Sequence, residues 1–147
     1  MNNSDLKIID THAHLDHLED PDQALTNADK AGVQAIVAMS MDLESCKRSL
    51  EIKNATQAPQ IFLGMGMHPS ETKLDDVEAL VDLIKANVKS LVAVGEIGLD
   101  FWYKWVRKDD EKKDEQRKVF VRLMETAKEL DLPVVIHSRG AWRECLE

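Results

Sequence analysis

The sequence comprises 147 residues, of which 44% are hydrophobic, and it carries a formal net charge of −8. This length and composition suit one domain with a buried core, and no apolar run approaches the ~20 residues that a membrane-spanning helix needs. The acidic balance excludes nucleic-acid binding through a broad basic surface, so any recognition of phosphate has to be local.

The two cysteines, Cys46 and Cys145, each fall within a predicted helix and show no Cys-x-x-Cys spacing. This pattern favours free thiols over a disulfide framework, and therefore a reducing cytoplasm. The N-terminal segment MNNSDLK also lacks the charged and then apolar regions of a signal peptide. We expect a cytoplasmic protein without a membrane segment.

Short apolar segments rich in β-branched residues alternate along the chain with amphipathic segments of helical period. The apolar segments predict five strands, at residues 6–11, 33–40, 60–67, 90–98 and 133–138. Strands that alternate with helices in this way form a parallel sheet covered by helices. The sequence therefore predicts an α/β fold.

The first predicted helix is bounded by clear start and stop signals. Asp20 is its N-cap, Pro21 is its first residue and Gln23 completes a capping-box pattern. Gly32 follows its end. Two later helices, one of them at residues 75–88, each carry an apolar stripe. The stripes consist of Val77, Leu80, Val81, Ile84 and Val88 in one helix and of Val119, Leu123, Ala127 and Leu130 in the other.

The most polar stretch of the chain is the charged run at residues 107–118. It predicts a loop followed by the solvated start of a helix. The alternative for this run is a loop that contacts substrate.

Five strands fit two architectures. One is a doubly wound open sheet, complete at this length, and the other is the first part of a (β/α)₈ barrel, which normally needs ~250 residues. Residues 139–147 predict a loop and the first turns of a further helix, which favours the barrel. The sequence also lacks the usual signatures of a doubly wound open sheet, which are a Gly-rich loop after the first strand or an aspartate at the end of the third. We therefore expect TIM-barrel-like (β/α) units, the first five of eight, with parallel strands and outer helices.

Two histidines follow the first apolar strand, at His12 and His14. Side chains on a strand alternate between its faces, so residues two apart point the same way, roughly 7 Å apart. Two imidazoles at that spacing can converge on one ion. We expect both to be metal ligands, and we expect the neighbouring His17, which has no such partner, to be a surface or loop residue.

The third and fourth strands also end in polar residues. His68 lies within Gly-Met-His-Pro, at the same predicted edge as the first two histidines, where it is either a loop residue or a contact to substrate or phosphate. Glu96 follows a nearly continuous apolar run in a strand that should be buried. A buried carboxylate is costly unless it is paired or bound to metal, so Glu96 is a predicted metal ligand. Asp100 is either a site-orienting residue or an ordinary loop cap.

The fifth strand ends in His137 and Arg139, which lie on one face because they are two residues apart. His137 follows a pure apolar run and is a predicted metal ligand. Arg139 could clamp a phosphate oxygen, as a planar guanidinium does well, or form a helix cap or salt bridge. Parallel α/β proteins build their sites at the carboxyl ends of strands, so a common site is expected there.

These motifs together resemble the TatD family of deoxyribonucleases. His-Ala-His, Gly-Met-His-Pro, Gly-Glu-Ile-Gly-Leu-Asp and Ile-His-Ser-Arg occur in that family in this order and at about this spacing. The matches extend from Asp10 to Ala141, whereas His-x-His alone would indicate only the wider amidohydrolase-like class. The resemblance implies a distorted TIM barrel that hydrolyses phosphodiester bonds in DNA with divalent metal, often as an exonuclease.

The same resemblance implies two metal ions. His12 and His14 would hold one ion, Glu96 would bridge or share both, and His137 would bind the second. Imidazole and carboxylate ligands suit zinc, manganese or, less strongly, magnesium.

It also implies the catalytic residues and the substrate. His68 and Arg139 would lie near the scissile phosphate, so that they and Glu96 would be catalytic. The substrate would be DNA, single-stranded or at its 3′ ends.

The chain departs from the family pattern in two respects. Gly140 stands where many relatives have an acidic residue, which puts any role of that carboxylate in doubt. The family also has later units that contribute another histidine and an aspartate, and these are not present by Glu147. We expect residues 1–147 to form a single domain that is truncated on its C-terminal side; a split protein and a degenerate, non-catalytic product are the alternatives. The truncated sheet would then have an exposed edge, which favours self-association or pairing with the missing C-terminal half.

The preferred hypothesis is a metal-dependent DNase-type phosphodiesterase, with at most weak activity from this segment alone. A hydrolase of the same scaffold that acts on a cyclic amide or phosphotriester is one alternative. A non-catalytic metal-binding or interaction module is the other.

Overall fold

A computed structural model describes residues 7–147 as a parallel sheet covered by helices. The strands are β1 (Ile8–Ala13), β2 (Val33–Met39), β3 (Gln60–Met65), β4 (Leu91–Asp100) and β5 (Val134–Arg139). The α-helices are α1 (Pro21–Lys30), α2 (Leu43–Ala55), α3 (Val77–Ala86) and α4 (Asp110–Glu129). Short 3₁₀ turns lie at Leu15–His17, Pro69–Glu71, Leu74–Asp76 and Val88–Ser90. The predicted start of the first strand, at Leu6, lies outside the described residues.

Each strand pairs in parallel with the strand that follows it in the chain, in the order β1-β2-β3-β4-β5. A doubly wound sheet would reverse its strand order partway across. Strictly sequential order is the arrangement of a barrel. The sheet is a curled half-barrel, which confirms the predicted TIM-barrel-like units and excludes the open-sheet alternative.

The hydrophobic core lies between the sheet and the helices. The predicted stripe of α3 is buried from Val77 to Ile84, and that of α4 is buried at Val119, Leu123 and Ala127. Burial of such apolar stripes stabilises the fold by ~25 cal/mol per Å² removed from water. No helix within residues 7–147 combines the length and the apolar character that crossing a membrane requires.

The two outer strands, β1 and β5, are much more exposed than the three between them. Ile9 is 63% exposed and Ile136 is 40% exposed. Within residues 7–147, each of these strands has only one neighbour in the sheet. Their free edges therefore present unpaired backbone groups to any further strand.

The helix predicted at residues 75–88 is shorter than expected. A 3₁₀ turn covers Leu74–Asp76, and the α-helix ends at Ala86. The side-chain amide of Asn87 donates to the carbonyl oxygen of Leu83 at 2.9 Å, which satisfies a terminal carbonyl and ends the helix. Val88 belongs to the next 3₁₀ turn and is only partly buried.

The expectations for the cap of α1 and for the two cysteines were confirmed only in part. Asp20 caps α1 through the backbone N–H of Gln23, as predicted. The reciprocal half of the capping box is absent, because the Gln23 side chain donates instead to Asn27. Cys46 lies in α2 as expected, but Cys145 lies in a turn rather than in a helix. Both cysteines are free thiols.

Candidate metal centre

The predicted ligands of β1, β4 and β5 and the predicted substrate contact His68, which follows β3, come together at one edge of the sheet. Two groups have ligand atoms that all lie within 4.8 Å of one another. The first group is His12, His14 and Glu96, and the second is His68, Glu96 and His137. Glu96 is shared by both groups.

The carboxylate of Glu96 faces the two groups with different oxygen atoms. Its Oε2 lies 3.1 Å from His12 Nε2 and 3.8 Å from His14 Nε2. Its Oε1 lies 3.2 Å from His137 Nδ1. A carboxylate in this position can offer one oxygen to each of two neighbouring cations.

Irregular strand pairing surrounds two of these residues. The register of β1 against β2 shifts between Asp10 and Ala13, and that of β4 against β5 shifts between Val94 and Ile97. Such irregularities turn a strand locally and change the direction of its side chains. They occur here at His12 and Glu96.

The ring of His14 is oriented by the backbone of β2. Its Nδ1 lies 2.9 Å from the carbonyl oxygen of Met39. A carbonyl can only accept, so Nδ1 carries the proton and donates it. Nε2 is left with a free lone pair directed towards Glu96, which is the tautomer that a metal ligand needs.

His68 has the opposite arrangement. Its Nδ1 lies 3.0 Å from the backbone nitrogen of Ser70, whose N–H can only donate. The neutral ring therefore carries its proton on Nε2, which lies 3.0 Å from His137 Nδ1. His68 thus presents an N–H donor, rather than a lone pair, to the centre of the cluster.

His137 is held by an acid on its far side. Its Nε2 donates to Asp100 Oδ2 at 2.9 Å. Asp100 is fully buried and also accepts from Arg139 Nε at 2.8 Å and from the backbone N–H of Trp102 at 3.0 Å. With Nε2 protonated, the neutral ring of His137 has its lone pair on Nδ1, which is the nitrogen available to a cation. Nδ1 donates to Glu96 only when the ring carries a second proton there.

The electrostatics follow from these contacts. The hydrogen bond with His137 lowers the pKa of Glu96, and the hydrogen bonds with Glu96 and then Asp100 raise the pKa of His137. Burial, with the nearby His137, lowers the pKa of His68 to about 4. At neutral pH, Glu96 is therefore ionised and His68 is uncharged.

Two glycines permit the close packing of this edge. A Cβ at Gly66 would lie 2.7 Å from the carbonyl oxygen of Glu96. Gly98 has a φ of +149°, and a Cβ there would collide with the carbonyl oxygen of His137. Each glycine therefore packs against the backbone of a candidate ligand, Glu96 or His137, and a larger side chain at either position would displace that ligand.

Gln116 supports the site but was not identified by the sequence analysis. Gln116 is buried on α4, where it accepts from the backbone N–H of Asp100 at 2.9 Å and donates to the carbonyl of Pro69 at 3.0 Å. It therefore ties the ends of β3 and β4 to the helix. A signal was present, because Gln116 lies one turn before Val119 on the buried stripe of α4.

His17 is more than half exposed, which agrees with its predicted surface position. Its Nε2 lies 3.3 Å from Asp16 Oδ2. It is not part of either group of converging ligand atoms.

The donor sets fit divalent ions, with His12, His14 and Glu96 around one ion and Glu96 and His137 at the other. Neutral imidazole and ionised carboxylate suit zinc and manganese and, less strongly, magnesium. Bonds of about 2.1 Å to one ion place the ligand atoms roughly 3–4 Å apart. The distances from Glu96 to His12, His14 and His137 fall within that range.

Comparison with known proteins agrees with this chemistry. Residues 9–147 match the family described as TatD related DNase. The deoxyribonuclease TATDN3 of Homo sapiens is 33% identical over 92% of this chain and 53% of its own length. The uncharacterized metal-dependent hydrolase MJ1582 of Methanocaldococcus jannaschii is also 33% identical, over 97% of this chain and 55% of its own length.

A solved structure shares the fold. The TatD homologue YjjV from Escherichia coli K12 superposes with a TM-score of 0.80 at 30% identity, over 94% of this chain and 53% of that one. The chain spans about half the length of the curated relatives it matches.

Proposed function

Because this chain belongs to the TatD-related DNase family of metal-dependent hydrolases, we propose that it hydrolyses phosphodiester bonds in DNA with two divalent ions. The ligands would be His12 and His14 for one ion and His137 for the other, with Glu96 contributing one oxygen to each. Zinc or manganese suits these ligands best, and magnesium suits them less well.

The observation that carries the proposal is the division of Glu96 between two groups of histidines. Its two oxygens lie 3.1 Å from His12 Nε2 and 3.2 Å from His137 Nδ1. An ordinary buried salt bridge needs only one partner for a carboxylate. Two ions held close together would supply positive charge for a phosphodiester and lower the pKa of a water molecule.

His68 and Arg139 would act on the substrate directly. The Nε2–H of His68 is a donor directed into the cluster, suited to an oxygen of the scissile phosphate. Arg139 is held through Nε by Asp100, and its terminal nitrogens have no hydrogen-bond partner within residues 7–147. A guanidinium fixed in this way can bind phosphate with its two terminal NH₂ groups.

The proposal concerns the whole protein. Relatives are about twice as long as this chain, and we propose that further βα units cover the free edges of β1 and β5. Those units would come from the same polypeptide or, failing that, from a second copy or a separate half. The free thiols of Cys46 and Cys145 fit a reducing compartment, so we propose the cytoplasm.

A cleavage assay tests the proposal. Protein stripped with chelator is supplied with Zn²⁺, Mn²⁺ or Mg²⁺ and given an end-labelled single-stranded oligonucleotide, a cyclic amide or a phosphotriester. We expect metal-dependent DNA cleavage, lost in His12→Ala and Glu96→Gln. His17→Ala is the matched control, since His17 lies outside both groups, and it should remain active.

Two results would count against the proposal. Cleavage of only the amide or phosphotriester would reassign the substrate within the same scaffold. Stoichiometric metal binding without turnover of any substrate would support a non-catalytic module.

A further inference from the structure

The loop that leaves β4 has an unusual composition. Residues 101–108 read Phe-Trp-Tyr-Lys-Trp-Val-Arg-Lys. Trp102 is 68% exposed and Trp105 is 56% exposed. Single exposed apolar residues are common, but two exposed indoles three positions apart in one short loop are not. We call residues 101–108 the aromatic loop.

Two of the four rings of the aromatic loop stack on each other. Tyr103 and Trp105 are nearly parallel, with centroids 4.3 Å apart and an interplanar angle of 19°. The guanidinium of Arg139 lies 4.5 Å from the centroid of Tyr103. Aromatic faces held in place in this way lose little freedom when another flat group stacks on them.

The aromatic loop adjoins the candidate metal centre at two points. Arg139, beside Tyr103, is bonded to Asp100, and Asp100 is bonded to His137. Trp105 lines a cavity of about 130 Å³ together with Ser70, and Ser70 bonds His68 through its backbone N–H. A molecule stacked on the loop would therefore lie next to the cluster.

The loop is also locally cationic in an acidic protein. Acidic residues outnumber basic ones by 27 to 19 in the chain, yet residues 101–108 contain Lys104, Arg107 and Lys108 and no acid. None of these three takes part in an ion pair within residues 7–147. On α4, by contrast, Lys112 and Lys113 are each paired with an acid one turn away.

Aromatic rings interleaved with unpaired cations fit single-stranded nucleic acid. Bases stack on aromatic side chains without regard to sequence, and cations follow the phosphates. A protein-binding patch would be depleted of lysine. A duplex would offer its phosphates to the loop but keep its bases out of reach.

We propose that the aromatic loop is a stacking platform for the unpaired bases of single-stranded DNA, next to the candidate metal centre. The platform rests on the proposed DNA hydrolysis for its role, although binding itself does not need the metal. Trp102 and Trp105 supply the stacking faces, and Lys104, Arg107 and Lys108 supply charge for the backbone.

Binding can be measured with metal removed, so that cleavage plays no part. The probes are a labelled oligothymidine of about 12 nucleotides and an abasic oligomer of the same length and charge, each followed by fluorescence anisotropy in chelator. We expect the oligothymidine to bind the wild-type protein roughly 5- to 100-fold more tightly, from one or two stacked bases. A duplex of equal length should bind more weakly than the single strand.

Paired variants isolate the rings. Trp102→Leu with Trp105→Leu keeps apolar surface but removes stacking, and should abolish the preference for oligothymidine over the abasic oligomer. Trp102→Phe with Trp105→Phe should retain most of that preference. Both residues are largely exposed, and far-UV circular dichroism with thermal melting would verify that each variant folds.

The proposal is overturned if the wild-type protein binds both oligomers equally or not at all, or if the leucine variant still discriminates between them. Binding with the expected preference but without DNA cleavage in added metal would support the platform and refute the proposed hydrolysis. The two ideas therefore fail separately.

Discussion

Asp100 accepts a hydrogen bond from His137, with 2.9 Å between Oδ2 and Nε2. The acid is fully buried at the end of β4, and the histidine lies near the end of the neighbouring β5. Acids that bond the far nitrogen of a metal-binding histidine fix its tautomer and increase its basicity. Asp100 is therefore expected to control how well Nδ1 of His137 binds a cation.

We predict that Asp100→Asn weakens binding at the His137 ion by roughly 10- to 100-fold. The amide is neutral and can present N–H₂ instead of oxygen, so Nε2–H loses its charged acceptor. Isothermal titration with Zn²⁺ or Mn²⁺ would measure the change. Asp110→Asn, at an exposed position on α4, is the matched control. Unchanged affinity in Asp100→Asn would show that His137 does not bind metal through Nδ1.

The residues of the candidate site that lie on strands could be expected to converge, because the spacing of apolar residues and the positions of polar ones are local features of the sequence. His12, Glu96 and His137 each interrupt or end an apolar strand, and parallel strands put such ends at one edge. The sequential strand order then brought these residues together. Local patterns are sufficient for this much of the fold and the site.

The orienting contacts could not be predicted, because they depend on register and on how helices dock. The contact of Asp100 with His137 needs β4 and β5 to pair in one register, and Gln116 needs α4 to pack over both strand ends. The donor character of His68 comes from the backbone N–H of Ser70, which a sequence pattern does not reveal. Ring tautomers of this kind are set by three-dimensional neighbours.

Substitutions of Glu96 and His12 should differ in the number of metal ions whose binding they weaken. Because Glu96 faces both histidine groups, Glu96→Gln is predicted to lower the affinity for both ions. His12→Ala removes a ligand from one group only and should leave the other ion bound. Metal content after gel filtration, measured by mass spectrometry, would count the ions in each variant.

The matched control for metal content is His17→Ala, which should retain the wild-type count. Loss of only one ion in Glu96→Gln would contradict the bridging arrangement. Loss of both in His12→Ala would mean that the ions bind as one inseparable unit.

Alanine substitutions at Gly98 and Gly140 would distinguish the cost of backbone strain from the cost of a steric collision. Both have positive φ, +149° and +71°. A Cβ at Gly140 would come no closer than 3.5 Å to the Phe101–Trp102 backbone, whereas one at Gly98 would overlap the His137 carbonyl. Gly140→Ala should cost about 1 kcal/mol of unfolding free energy, the price of a left-handed alanine. Gly98→Ala should cost more and should also lower metal affinity.

Urea unfolding of the two glycine variants, with metal titration of each, would check this difference. Equal stability losses would show that β5 can move away from Gly98 without penalty. Normal metal affinity in Gly98→Ala would show that the position of His137 tolerates such a movement.

Cys46 should make the protein less stable in alkaline solution. Its thiol is completely buried, and burial raises its pKa to about 12, whereas an unfolded cysteine titrates near 8.5. Between about pH 9 and 12 the unfolded chain has therefore released a proton that the native state retains. The free energy of unfolding then falls as pH rises, by at most ~1.4 kcal/mol per pH unit.

The Cys46→Ala variant lacks this titration, so its free energy of unfolding should fall less steeply over that range. The cavity left by the missing sulfur lowers its free energy of unfolding by the same amount at every pH. Urea unfolding of both proteins at several pH values gives the two slopes, and other groups that titrate there cancel in the difference. Parallel slopes would mean that the native thiol ionises as readily as the unfolded one. Cys145→Ala, at the partly buried cysteine, controls for the loss of a thiol.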